Sequence, residues 1–246
     1  MRRSDGDHPT NGRRGSGPHR ASRPAGPYDE DVADATEPTV LLTAFEPFGG
    51  DAVNPSWEAA QRLAATWDGP ATLVVEQLPV VFAEERSRLA AAITKHRPAV
   101  VIATGLAAGR AAVTPERVAI NVMDARIPDN AGAQPVDEPI DPFGAPAAFS
   151  GLPIKRIVRD VRAAGVPAAV SNTAGTFTCN QVFYDLMSFA DREGFRAGFV
   201  HVPATPDIAG DGPSLDLDRI VTALDAVVRA SLDPAPDIVA EGGAES

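Results

Sequence analysis

From position 39 onward, short apolar runs alternate with stretches that repeat apolar residues at helical spacing. TVLLTAF, ATLVVEQLPV, PAVVIATG, RVAINV, PAAVSN and RAGFVHVP are compact, apolar and mostly bounded by turn-forming residues, so they predict strands. NPSWEAAQRLAATW, AEERSRLAAAITKH, LPIKRIVRDVRAAG, NQVFYDLMSFADREG and SLDLDRIVTALDAVVRASL predict helices. The punctuation agrees. Asn54 is placed to cap the first helix, with Pro55 at its first position. The second helix must stop before Pro98, and the third ends at Gly165. Ser214 is the expected cap of the last. Strands that read as continuous apolar runs, alternating with helices, predict an α/β domain whose mostly parallel sheet is covered on both faces.

Residues 123–152 carry little periodicity. An irregular segment of that length inside a compact domain is more often functional than filler. The two ends behave differently from the middle. Residues 1–37 are rich in Gly, Pro, Ser and Arg, with a basic half followed by an acidic one and almost no large apolar side chains. Such a segment cannot bury enough surface to offset its ordering entropy, so it is expected to be a disordered N-terminal extension. Residues 233–246 read as a flexible tail. Residues 38–232 remain as one domain.

Composition narrows the function classes. Across 246 residues the chain is 44% hydrophobic and 22% charged, ordinary for a soluble globular protein. Its net charge of −11 argues against binding nucleic acid or an anionic membrane through a basic surface. The single cysteine excludes an internal disulfide, and no Cys/His cluster has zinc spacing. A reducing cytoplasm is the expected setting. No apolar run approaches the roughly 20 residues of a membrane span, and the N-terminus lacks the apolar core of a secretory signal.

In open α/β sheets ligands bind at the carboxyl ends of the strands. The polar and glycine-rich segments fall there: FEPFGGDAVNPS, LAAGRAAVTPE, TAGTFTCN and the exit of AGFVHVP. Cys179 is the lone cysteine. A free cysteine is often a small buried hydrophobe. This one stands near the first turn of a helix, after a glycine-bearing turn, where the helix end favours a thiolate and offers N–H groups to an oxyanion. A nucleophilic thiol needs a base. His8 and His19 lie in the N-terminal extension, and His96 sits at a helix end where a structural role is expected. His201 alone is at the carboxyl end of a strand. To orient it, Glu116 is a candidate, with Asp124, Asp129, Asp137 and Asp141 as competitors. Phe45 and Phe48 could wall a pocket or pack a core. Asn54 could face a ligand, cap its helix, or do both.

These segments together resemble the pyroglutamyl-peptidase I family of cysteine peptidases. LLTAFEPFGGDAVNPS, GRAAVTPERVAINVMDARIPDNAGAQPVDEPI, SNTAGTFTCN and GFVHVP match its motifs in order and register, from about Thr39 to about Leu232. The resemblance implies a three-layer α/β/α sandwich of the phosphorylase/hydrolase-like type. It implies removal of N-terminal pyroglutamyl residues from peptides, without a cofactor or metal, by a cytoplasmic homo-oligomer (tetramer or dimer). It places a triad on Glu116, Cys179 and His201. It places a substrate pocket on Phe45, Phe48, Asn54, Phe177 and Thr178, and a supporting arginine near the triad on Arg126. The chain departs from the family pattern at an alanine of GLAAGR where glycine is common, in HVPATPD, which is less aromatic after the histidine, and at two further positions. Leu106 stands where glutamine is common, and Thr178 replaces a typically aliphatic residue beside the nucleophile. Two alternatives remain at this point: a phosphorylase-like enzyme on a similar fold, and a relative that binds pyroglutamyl groups without cleaving them.

Overall fold

Each apolar run of the central sheet sends alternate residues to opposite faces, and both faces are covered by helices. The structure, a computed structural model, describes residues 37–243; the expectations for positions 1–36 lie outside the described residues. The elements run β1 (Thr39–Phe45), α1 (Pro55–Thr66), β2 (Thr72–Leu78), α2 (Phe82–His96), β3 (Val100–Leu106), β4 (Thr114–Pro115), β5 (Val118–Ile120), β6 (Ala147–Phe149), α3 (Ile154–Ala163), α4 (Thr178–Glu193), β7 (Arg196–Val202), α5 (Pro206–Ala209) and α6 (Leu217–Leu232). The main sheet has the order β2-β1-β3-β7-β4. Its first four strands are parallel, and β4 joins β7 antiparallel. This is the expected three-layer α/β/α arrangement.

The pleat sorts the core. Val40, Leu42, Val100, Ile102, Val200 and Val202 pack with α1, α3 and α6. Leu41, Phe45, Val101, Ala103, Ala197 and Phe199 pack with α2 and α4. Period-two alternation sends neighbouring residues of one strand into different layers. Every residue of β3 is buried, which explains its unbroken apolar run.

Three expectations are corrected. PAAVSN is not a strand, although it lies parallel to residues 113–117. Val113 N donates to Pro167 O, Ala169 N to Val113 O, Ser171 N to Pro115 O and Arg117 N to Ser171 O. The missing rung is the one Pro115 would give, because proline has no N–H, so only isolated bridges remain. RVAINV yields only the three-residue β5, paired with β6 outside the main sheet. The buried Asn180 side chain holds it there, accepting from Ile120 N and donating to the Ile120 and Val122 carbonyls. Finally, α6 starts after Asp216 rather than Ser214, because Leu215 N donates to Ala204 O and keeps the chain out of the helix.

The stretch after α6, expected to be a loose tail, makes hydrogen bonds in its described part. Asp237 accepts from the backbone N–H groups of Lys155 and Arg156 at the open end of α3, each at 2.9 Å. Arg156 also pairs with Asp233 and donates to the Ala235 and Pro236 carbonyls. A carboxylate at a helix N-terminus satisfies donors the helix cannot. Composition does not reveal such a partner. Among the described residues, no helix is long and apolar enough to cross a membrane.

Candidate active site

The carboxyl ends of β1, β3 and β7 lie side by side, and the loops leaving them build one cavity of about 380 Å³. Its walls include Phe45, Phe48, Leu106, Arg126, Phe177, Thr178, Cys179 and His201. The FGG turn that carries Phe48 needs its glycines, since Gly49 and Gly50 both have positive φ (66° and 95°). The loop is then anchored from outside the cavity. Glu46 accepts from Val80 N and from Asn130 Nδ2, which also donates to Pro47 O. Phe48 and Phe177 face each other at 6.1 Å between ring centroids, and Phe82 meets Phe177 edge-on at 5.3 Å. These contacts fix an aromatic wall.

Asn54 lies off that wall. Its Oδ1 accepts from Ser56 N and Ser56 Oγ, and its Nδ2 donates to Glu46 O. It is fully buried as the cap of α1, so of the two roles open in the sequence the structure supports the cap.

Cys179 is the second residue of α4. The residue before that helix, Phe177, offers no side-chain cap, and its carbonyl accepts from Asn180 and Gln181. The N–H groups of Thr178 and Cys179 therefore have no acceptor within the helix. The sulfur has room because the penultimate residue of β3 is a glycine. A Cβ on Gly105 would stand 2.8 Å from Cys179 Sγ and 3.0 Å from Phe199 Cζ. Sequence reasoning did not single out Gly105; its place at the end of an all-buried strand was the available signal.

His201 is nearly buried on β7, with its ring 4.8 Å from that of Phe199. Its Nδ1 lies 2.7 Å from Glu116 Oε1. A carboxylate only accepts, so Nδ1 carries the proton and a neutral His201 keeps Nε2 as a bare acceptor. Glu116 has no exposed surface and comes from the residue after β4. Burial alone would raise its pKa, but the His201 hydrogen bond and charge, aided by Arg110, hold it below the usual carboxylate value.

The competing carboxylates do other work. Asp129 Oδ2 accepts from Phe82 N at the start of α2, and its Oδ1 accepts from Ala131 N and Ala133 N. Asp141 Oδ1 accepts from Phe143 N. Asp124 contributes backbone groups, its carbonyl accepting from Thr176 Oγ1. Asp137 adopts a positive φ of 50° in an exposed turn. Among the described residues Glu116 is the carboxylate bonded to His201.

The resting charge state departs from expectation. The helix N-terminus was expected to favour a thiolate. Instead burial, followed by the fields of Glu85 and Glu116, pushes the Cys179 thiol well up. Burial likewise pushes His201 down, despite Glu116. Both shifts favour an uncharged thiol and an uncharged imidazole on the walls of the same cavity.

Two groups escaped sequence reasoning. Arg110 donates to Thr114 Oγ1, Glu116 Oε1 and Thr173 O. Glu85, on α2, has no exposed surface, and neither carboxyl oxygen has a hydrogen-bond partner in the protein. Burial, then the charge of Asp129, raises its pKa well above the ordinary value. In sequence both resemble solvent-facing charges.

Known proteins resemble this chain along nearly all of its α/β domain. The pyroglutamyl peptidase family profile matches residues 38–233. A pyrrolidone-carboxylate peptidase of Clavibacter michiganensis is 54% identical over 209 residues, covering 84% of this chain and 98% of its own. One from Vibrio parahaemolyticus is 50% identical, covering 83% of this chain and 97% of its own. The crystal structure of pyroglutamyl peptidase I from Bacillus amyloliquefaciens superposes with a TM-score of 0.80 at 50% identity, covering 84% of this chain and all of that one. Pyrrolidone carboxyl peptidase from Thermococcus litoralis gives 0.79 at 37% identity, over 83% of this chain and 99% of that one. With a matching profile across the α/β domain and relatives this similar along nearly their whole length, the chain belongs to the pyroglutamyl peptidase family.

Proposed function

We propose that the protein hydrolyses the bond after an N-terminal pyroglutamyl residue of peptides, with Cys179 as nucleophile, His201 as base and acid, and Glu116 as the group that orients the imidazole. The observation that carries this reading is the shared cavity. Cys179 and His201 line one wall system, and Nδ1 of His201 is fixed by a buried carboxylate. The flat, uncharged lactam suits a cavity with Phe45, Phe48 and Phe177 on its walls and few polar groups.

Because the resting thiol and imidazole are both neutral, attack and proton transfer go together. Nε2 of His201 takes the Cys179 proton as sulfur bonds to the scissile carbonyl carbon. The imidazolium is stabilised by Glu116. The oxyanion is received by the unpaired N–H groups at the start of α4. Collapse expels the peptide amine, which takes the proton back from His201 and leaves a thioester. Water, deprotonated by the same Nε2, then releases pyroglutamate and restores the thiol. Arg126, on the exposed rim, supports the site as a positive charge near the departing peptide.

The domain reading is that residues 38–232 form the catalytic domain and that the N-terminal extension is dispensable. The exposed apolar side chains of Val136, Phe143 and Phe149 support a homo-oligomer, dimer or tetramer. A lone nucleophilic thiol suits a reducing cytoplasm. Release of a chromogenic amine from a pyroglutamyl anilide by wild type, but not by Cys179→Ser or iodoacetamide-treated protein, tests the reaction. Light scattering on the purified chain tests the assembly.

A further inference from the structure

Arg110 leaves the loop after β3 and is the one guanidinium bonded to the Glu116–His201 pair among the described residues. Its Nη1 lies 2.6 Å from Thr114 Oγ1 and 2.6 Å from Glu116 Oε1, and its Nη2 lies 3.0 Å from Thr173 O. The Glu116 oxygen it meets is the same one that His201 Nδ1 meets at 2.7 Å. The other oxygen, Oε2, has no hydrogen-bond partner in the protein. One carboxylate oxygen is thus shared between a permanent cation and the imidazole. The third contact reaches Thr173, in the segment that runs into Cys179.

This sharing has two consequences. A buried carboxylate with only a neutral imidazole beside it would tend to take up a proton. A guanidinium at 2.6 Å keeps it charged, and so keeps it an acceptor for Nδ1–H. The same cation opposes charging of His201, which Glu116 alone would strongly favour. Burial, with this cation adding to it, favours the neutral imidazole, whose Nε2 is then free to take the thiol proton.

We propose that Arg110 is a positioning residue for the reaction: it shares the Glu116 oxygen with His201, holds that carboxylate charged and aimed, and ties it to the loop that carries Cys179. This rests on the Cys179–His201–Glu116 reading above. The charged groups that bear on His201 are Glu116 from the β4 end and Arg110 from the β3 loop, and Cys179 from α4 lines the same cavity. Glu85 on α2 acts on Cys179.

The test compares wild type, Arg110→Met and Arg110→Lys in two readouts. One is kcat and KM for a pyroglutamyl anilide against pH. The other is the NMR titration of the His201 ring in a Cys179→Ser background, assigned by loss of the signal in His201→Gln. Arg110→Met is expected to lower kcat by up to about 100-fold with a smaller change in KM. Both the acid limb of kcat/KM and the His201 titration should move to higher pH, because an opposing cation has gone. Arg110→Lys restores the charge without the fork, so it should return both midpoints towards wild type while kcat recovers only partly. Should Arg110→Met fail to fold, Arg110→Lys alone decides: unchanged kcat in it overturns the proposal. A folded Arg110→Met with an unmoved acid limb and an unmoved His201 titration also overturns it. If wild type cleaves nothing, the reaction assignment fails, and the NMR titration still reads the Arg110 coupling by itself.

Discussion

The two faces of the sheet are built from the same strands but hold different cores. Against α1, α3 and α6 the interior is aliphatic, with Leu42, Ile102, Ile157, Leu224 and Val227 filling it. Against α2 and α4, phenylalanines share the space with Glu85, Glu116, Asn180, Gln181, Asp185 and His201, all buried. On this face several buried polar atoms have no hydrogen-bond partner in the protein: Thr43 Oγ1, both oxygens of Glu85, Glu116 Oε2, Gln181 Oε1 and Asp185 Oδ2. Burying such groups costs stability. Both faces bury apolar side chains, but only the second sets several unpartnered buried polar groups among them, at a cost in stability, around the candidate site.

The difference can be tested one residue at a time. The largest expected effect is on the polar face. Glu116→Gln keeps the shape but removes the charge that holds His201, and should lower kcat/KM by about 10²–10⁴-fold. It should also remove the stability that ionised Glu116 contributes. That contribution is present above the unfolded carboxyl value of 4.5 and is lost as pH falls through the lower folded one. Denaturation at pH 7 and pH 3 measures it. Leu224→Ala on the other face should cost about 2–5 kcal/mol of unfolding free energy and leave kcat per folded molecule unchanged. A large loss of kcat there would erase the division of labour between the faces.

Gly105→Ala should affect both properties. Its new methyl meets Cys179 Sγ and Phe199, so stability falls by about 1–3 kcal/mol and kcat drops as the sulfur is displaced. Unchanged kcat would mean that the sulfur's place does not depend on this contact. The effect expected from Glu85→Gln has the opposite sign. The folded Glu85 pKa lies above its unfolded value of 4.5, so the wild-type acid adds stability below that pH and loses it as pH rises. The neutral variant should gain on wild type by about 1.4 kcal/mol per pH unit above 4.5, until the folded acid ionises. Melting curves from pH 5 to pH 9 follow this, and a constant difference across them would contradict it.

The aliphatic face was legible in the sequence because it is made of periodicity. The helices and the four parallel strands follow from spacing alone, and so does the convergence of Cys179, His201 and the FGG turn on one rim. The edge of the sheet was less legible, since Pro115 removes one N–H from an otherwise regular ladder and no pattern of apolar residues registers that. Glu116 could not be separated from four aspartates, because the choice depends on which carboxylate reaches Nδ1. Arg110 and Glu85 were hidden for a related reason. LAAGRAA reads as a surface loop and AEERSR as an exposed helix turn, yet packing turns one charge onto Glu116 and buries the other beside Thr178. Thr178, the departure noted beside the nucleophile, thereby gains a neighbour the sequence did not suggest. The neutral resting thiol was unreadable too, since it results from burial outweighing a helix end.

The central claim is that Cys179 performs nucleophilic chemistry on pyroglutamyl substrates from a neutral resting state. Incubating the wild-type protein with a pyroglutamyl anilide, quenching in acid and weighing the intact chain tests it directly. An adduct of one pyroglutamyl acyl group mapped to Cys179, absent in Cys179→Ala, is expected together with release of the amine. Turnover by Cys179→Ala at the wild-type rate, or an acyl group on any other residue, would contradict it.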